Sequence, residues 1–370
     1  MKKKLAIIGA SYLQLPLVQK AKEMGIETHC FAWADGAVCK EFSDFYYPVS
    51  VLEKEEILNS CKKIRIDGIA TIASDATVPT VCFVAENMGL ISNSFESSLC
   101  TTDKYIMRQM FLKNGVSSPK FAIGEDCDNL ENFIFPLIVK PTDRSGSRGV
   151  FKIEKKGDLK NAIDRAKNES FSKQAIVEEF IPGKEMSVET ISWQGKHYLL
   201  AITDKITTEE PYFVELEHHQ PSQLNKEIQN KIEQETIKAL NALNIKYGAS
   251  HTEIKITKNN KIYLIEVGAR MGGDFIGSDL VELSTGYDFI KGTIEVALGN
   301  FTEPEITKHQ FSGVYFLSKE TEHNRQFIEN KNKYPEIIRA EIIDNELRYV
   351  QKSADRSGYF IYQSDKKYLV

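Results

Sequence analysis

No run in the sequence reaches the roughly 18 consecutive apolar residues that a membrane-spanning helix needs, so no transmembrane segment is expected. There is no Cys-x-x-Cys pair either. The six cysteines (Cys30, Cys39, Cys61, Cys82, Cys100 and Cys127) sit early in the chain without regular spacing, which excludes a disulfide scaffold and fits a reduced, cytoplasmic interior. An excess of positive charge is also lacking: 47 Lys and Arg against 52 Asp and Glu leave a net charge of -5. Affinity for phosphate backbones needs concentrated Lys and Arg, so no nucleic-acid partner is expected. Internal repeats and low-complexity linkers are absent as well.

What is present is 370 residues that are 42% hydrophobic, 10% aromatic and 27% charged. That is ample for buried cores, and at roughly 100 to 200 residues per domain it suggests two or three units. Met1-Lys2-Lys3-Lys4 before Leu5-Ala6-Ile7-Ile8 has the outline of a signal peptide. Gln14 and Pro16 interrupt the apolar run, however, and no cleavage pattern follows, so it reads as a buried strand.

Through the first hundred residues short apolar runs alternate with amphipathic stretches, the pattern of a parallel sheet with crossover helices. Strands are expected at Leu5–Gly9, Thr28–Trp33, Gly68–Ile72 and Leu90–Ser92, and helices at Leu13–Met24, Lys54–Lys63 and Val78–Met88. Thr101–Asn114 opens on Thr-Thr-Asp and reads as a helix linking two domains. From about residue 119 the texture is α+β, with β-rich runs such as Phe135–Pro141, Ala175–Phe180, Met186–Trp193, His197–Ile206 and Phe213–Glu217. A helix at Asn225–Leu243 follows, then strands Gly248–Ile256 and Lys261–Val267. Short strand-like runs after 303 suggest a small closing domain.

Gly9-Ala10-Ser11 lacks the Gly-x-Gly-x-x-Gly of a dinucleotide site, which disfavours an oxidoreductase. Asp75 and Thr77 fit a ligand site at a strand end and a helix start equally well. Lys140 ends an apolar run and is fixed by Pro141; a desolvated ammonium requires an anion opposite it. The loop Asp143–Val150 combines Ser and Gly residues able to hold phosphate oxygens, although alone such a loop is more often a hairpin. Glu185, Ser187 and Glu189 share one strand face and Met186 and Val188 the other, the pattern of a polar cleft or of a solvated sheet face. The strongest pattern is Glu253 and Glu266 on two strands joined by the short turn Thr257–Asn260, a hairpin that brings two carboxylates together. Neighbouring carboxylates repel unless a divalent cation neutralises them.

In this order the features resemble the ATP-grasp superfamily over nearly the whole chain. The resemblance implies an α/β and α+β fold: an N-terminal doubly wound parallel-sheet domain (1–100), an ATP-grasp domain of two nucleotide-gripping α+β subdomains (101–302) and a small C-terminal region (303–370). It implies nucleotide contacts from Lys104, Lys140, Ser145, Gly146, Ser147, Glu178, Glu179, Phe180, Ile181, Glu185 and Leu264, with Glu253 and Glu266 binding Mg2+, or Mn2+ in its place. The second metal motif departs from the family's Glu-x-Asn, having Gly268 in the third position, so an oxygen ligand for a second Mg2+ is missing; Gly268→Asn is expected to be tolerated or to tighten Mg2+ binding.

Within the superfamily, Phe213–Ser222 and Arg270-Met271-Gly272-Gly273 are similar to the substrate region of L-amino acid ligases. This implies substrate contacts from Glu215, His218, Arg270 and Gly273, and catalytic roles for Arg270, Lys140 and His218. The implied activity is an ADP-forming carboxylate-amine ligase passing through an acyl phosphate, acting on small-molecule acids and amines, with a homodimer compatible. A bicarbonate-activating or carbamoyl phosphate synthetase-like enzyme and a non-catalytic ATP-binding protein stand as alternatives.

Overall fold

The computed structural model describes residues 2–368 except 125–129, 131–132, 209 and 211, so Cys127 lies outside the described residues. The other five cysteines are buried free thiols. Burial pushes Cys30, Cys39 and Cys61 up to about 12, which makes them inert packing groups. No described helix is long and apolar enough to cross a membrane.

Strands β1 (Lys4–Ile8), β2 (Glu27–Phe31), β3 (Phe45–Tyr47) and β4 (Gly68–Ala70) form a parallel sheet in the order β3-β2-β1-β4. Leu5 to Ile8 are fully buried, as a continuous apolar run must be in a helix-covered parallel sheet. Helices α1 (Leu15–Glu23), α2 (Lys54–Ile64) and α3 (Val78–Met88) deliver Leu17, Ile57 and Val84 to that core.

Two local expectations fail. Leu90–Ser92 is irregular, because Gly89 ends α3 in a left-handed conformation and Asn93 then ties the segment to residues 246 and 247. Its Oδ1 accepts from the backbone N–H groups of Lys246 and Tyr247 at 2.7 and 3.0 Å, so the three residues never reach the edge of the parallel sheet. The linking helix is two helices, α4 (Phe95–Thr102) and α5 (Lys104–Lys113), broken at Asp103. Asp103 caps α5 by accepting from Tyr105 and Ile106 N–H, while the Thr101 and Thr102 hydroxyls donate back to the Ser98 carbonyl.

A second sheet is antiparallel, in the order β5-β8-β6-β7: β5 (Phe121–Ile123), β6 (Leu137–Pro141), β7 (Phe151–Ile153) and β8 (Ala175–Glu179). Helix α6 (Lys156–Glu169) packs Leu159, Ile163 and Ala166 against it.

The third sheet has eight strands: β9 (Lys184–Trp193), β10 (Lys196–Thr207), β11 (Glu215–Gln220), β12 (Gly248–Ile256), β13 (Ile262–Gly268), β14 (Phe311–Leu317), β15 (Ile337–Ile342) and β16 (Gly358–Ser364). Their order is β13-β12-β9-β10-β11-β14-β16-β15. The three strands after residue 303 thus continue the same sheet, β14 pairing with β11. Helix α7 (Lys226–Ala242), capped by Asn225, covers one face with Ile232 and Leu240 against Met186, Val188, Ile254 and Leu264.

Two bulges set which side chains face the cleft. On β13, Glu266 pairs with Glu253 and Leu264 with Ile254, so Ile265 is the extra residue. On β11, Glu217 pairs with Ile206 and Glu215 with Thr207, so Leu216 is extra. An extra residue reverses the alternation of side chains beyond it.

Candidate active site

Between the second and third sheets lies a cavity of about 200 Å³, continuous through Ser145, Gly146, Glu215, Glu253 and Arg270 with one of about 490 Å³ that opens toward the N-terminal sheet. Lys104, Lys140, Glu178, Glu179, Phe180, Ile181, Glu185, Ser147 and Glu266 line the first; His218 and Gly273 line the second.

Lys140 has the anion that its sequence setting demands: Nζ is 2.7 Å from Glu178, which also pairs with Arg108 at 2.8 Å. All three are buried. Burial depresses the Lys140 ammonium despite Glu178, whereas Glu178, against the cost of burial, is held below the ordinary carboxyl range by Arg108 and Lys140. Lys104 begins α5 beneath the cleft, donating to Glu266 at 2.9 Å and to the Arg144 carbonyl at 2.6 Å. Against burial, Glu266 raises its pKa.

Glu253 and Glu266 face each other across the hairpin, as their spacing predicts, and each is balanced by a lysine. Glu253 accepts from Lys205 at 2.8 Å. Lys205 also reaches Glu185 at 2.9 Å and Glu215 at 3.3 Å, a buried ammonium among three carboxylates. Burial opposes its charge, yet those carboxylates raise it well above the ordinary lysine value. In turn Glu253, though desolvated, is pulled well below the carboxyl range by Lys205 and His251.

Behind this cluster, His251 bonds Glu189 through a short contact, and Glu189 accepts from Gly272 N–H at 3.0 Å. Burial disfavours the imidazolium; the Glu189 carboxylate overrides that and carries the pKa to about 9.

Arg270 is clamped by Asp75 in a two-point pair at 2.8 Å each. Asp75 therefore faces the cleft. It also accounts for Gly268: a Cβ there would lie 2.6 Å from Asp75 Oδ1 and 3.0 Å from the Arg270 guanidinium carbon. The side chain expected to be tolerated at 268 has no room.

Glu215 and His218, three apart in a strand, would ordinarily face opposite sides; the bulge at Leu216 brings both to the larger cavity. His218 Nε2 is 3.8 Å from Asp274, and neither ring nitrogen makes a hydrogen bond among the described residues. Leu264 is different. Its side chain is fully buried in the core and the bulge turns Ile265 into the cleft instead.

Sequence reasoning missed Lys205, Arg108, His251 and the pair Asp274–Arg356, whose guanidinium makes two bonds of 2.8 Å. Lys205 carried the same signal as Lys140, a lysine within a strand of apolar and β-branched residues. The others depend on partners 62 to 82 residues away.

Residues 133–279 match the family model of the ATP-grasp domain. Among curated relatives, the alanine–anticapsin ligase of Bacillus subtilis (strain 168) is 31% identical over 271 residues, covering 63% of this chain and 57% of that protein. Dapdiamide A synthase of Enterobacter agglomerans is 26% identical over 247 residues, covering 61% and 57%. The matches thus span less than two thirds of these relatives' length. An L-amino acid ligase structure from Bacillus licheniformis superposes with a TM-score of 0.82 at 23% identity, covering 99% of this chain and 94% of that one. At that identity the likeness establishes the fold, which is that of the ATP-grasp enzymes.

Proposed function

We propose that this chain is an ATP-dependent carboxylate-amine ligase with an amino acid as one substrate. The observation that carries the reading is the convergence of two buried lysines, two opposed carboxylates and a clamped arginine on one cleft (Lys104, Lys140, Glu253, Glu266, Arg270). The names of the relatives support it.

A carboxylate oxygen of the acid attacks the γ-phosphorus of ATP, the bond to the β-γ bridging oxygen breaks, and ADP leaves. The amine nitrogen then attacks the acyl carbon, the carbon-oxygen bond to phosphate breaks, and the nitrogen gives up a proton. The difficulty is charge, since triphosphate and carboxylate repel. Lys104 and Lys140 hold phosphate oxygens. Glu253 and Glu266 offer the hard oxygen donors that suit Mg2+, with Mn2+ as a substitute. When bound, that ion neutralises phosphate charge. Arg270, oriented by Asp75, balances the acyl phosphate and the oxyanion of the second step. Glu178 to Ile181 flank the base, Glu185 the ribose, and the Ser145–Ser147 loop shields the transferring group. Glu215 attracts the substrate ammonium, and His218 takes the proton lost by the amine.

The test is a phosphate-release screen of amino acids, singly and in pairs, with mass spectrometry of the products. ATP binding without release for any pair would leave only a nucleotide-binding protein, and release driven by bicarbonate alone would favour a carboxylase. Glu253→Gln and Glu266→Gln should each abolish turnover with an unchanged circular dichroism spectrum.

A further inference from the structure

A third cavity, of about 560 Å³, adjoins the reaction cleft on the side away from the nucleotide. Tyr12, Ala73, Gly273, Asp274, Ala354 and Arg356 line both spaces. Its character differs from the cleft's. The walls are Leu15, Ile72, Phe275, Phe316, Ile343 and Tyr359, contributed by α1, the segments after β4, β13 and β15, and strands β14 and β16.

At the boundary the backbone is strained. Asp274 and Phe275 are consecutive non-glycine residues in the left-handed region, with φ of 49° and 66°. For a bulky residue such as Phe275 that conformation persists only where the surroundings enforce it, and such strain concentrates at functional sites. Its effect is to place the Asp274 carboxylate on the cleft side, paired with Arg356, while the Phe275 ring packs at 4.3 Å against Tyr359. Arg356 lies 3.8 Å over the Phe316 ring. One carboxylate and one guanidinium thus stand side by side at the mouth of an aromatic chamber.

We infer that this chamber receives the side chain of an amino-acid substrate, and that the substrate is an α-amino acid with a large apolar side chain, aromatic or branched. The inference rests on the ligase reading and deepens it. The Asp274–Arg356 pair, its charges satisfied by each other, forms a polar rim between cleft and chamber, and the chamber offers apolar surface where a small side chain would leave a void. Continuity with the cleft aims the reacting groups at Arg270.

The experiment has two arms. In the first, phosphate release with ATP is measured for glycine, alanine, leucine and phenylalanine; kcat/KM is expected to rise at least roughly tenfold from alanine to phenylalanine or leucine. Equal or falling values overturn the inference. In the second, calorimetry of the ADP-loaded protein measures phenylalanine and alanine binding without turnover. Ser278→Phe fills the chamber, and Ile343→Asp places a charge on its exposed rim, where folding is not at risk. Each should weaken phenylalanine about tenfold or more while the affinity for ADP holds; unchanged phenylalanine binding in Ile343→Asp overturns the inference. Selective binding without phosphate release for any amino acid would refute the ligase reading and leave the chamber standing. Release that favours alanine would do the reverse.

Discussion

Lys205 is one positive charge shared by three carboxylates at distances of 2.8 to 3.3 Å. Replacing it with an uncharged chain of similar shape leaves Glu185, Glu215 and Glu253 facing each other with only more distant counter-charges, His251 at 3.6 Å from Glu253 and Lys255 at 3.8 Å from Glu185. Lys205→Met should therefore cost about 3 kcal/mol of stability near neutral pH. Because Glu253 is held below its ordinary value, its contribution is present above that value and lost as pH falls through the lowered one. The deficit of the variant should thus shrink only on acidification below 4.5, read as urea midpoints at about pH 6 and about pH 3.5. A deficit independent of pH would mean that lost packing, not charge, sets the cost. At Gly268 the outcome is set by space. Gly268→Asn should lower kcat roughly tenfold or more by displacing the Asp75–Arg270 pair, since small misplacements of a catalytic group are costly. Tighter Mg2+ binding with normal kcat in that variant would show that the pair yields readily.

Among elements, β12 carries both Glu253 and His251, and the second gives the fold a pH signature. The folded value of His251, about 9, lies above the ordinary 6.5, so its stabilisation is complete below 6.5 and disappears as pH rises through 9. Stability should decline across that window by up to about 3 kcal/mol. In His251→Asn the slope of the denaturation midpoint between pH 6.5 and 9 should flatten. Strand β6 makes a second case. Lys140→Ala should weaken ATP roughly ten- to a hundredfold, and it also leaves Glu178 with Arg108 alone. Adding Glu178→Gln should restore much of the melting temperature without restoring ATP affinity, a cycle that separates the structural from the ligand-binding contribution of the lysine.

These elements also show what could be read beforehand. Elements such as β1, α3 and β12 were legible because an apolar run, or the spacing of apolar residues, is a local property of the sequence. Lys140, Glu253 and Glu266 were legible because each is a charge set beside apolar residues in a strand, whereas Lys104 was reached only through the family resemblance. Leu264 was misplaced because a bulge on β13 reverses the alternation, and the linking helix was misread because one residue, Asp103, both breaks and caps it. Arg108, His251 and Arg356 could not be found, since nothing near them in sequence marks the distant carboxylate each one meets.

For the whole molecule, one contact that joins the N-terminal sheet to the reaction centre, beside the bond from Ala73 N–H to the Met271 carbonyl, is Asp75 on Arg270. Both are mostly buried, so the link is more than a surface ion pair. Asp75→Asn keeps the shape, loses the charge and frees the arginine. It should lower kcat with little change in KM for ATP, because the nucleotide contacts lie on other elements. An equal rise in the KM for ATP would place Asp75 in nucleotide binding instead.

The pairing of β11 with β14 has a consequence for anyone who wishes to exchange specificity between such chains. His219 is hydrogen-bond partner in register to Gly313, where a Cβ would strike the His219 ring at 2.6 Å and Tyr362 at 2.4 Å. A graft cut between residues 220 and 311 therefore divides a ladder whose two rails were fitted to each other. The transplantable unit is β11 together with β14 to β16, carried as a single cassette from one donor.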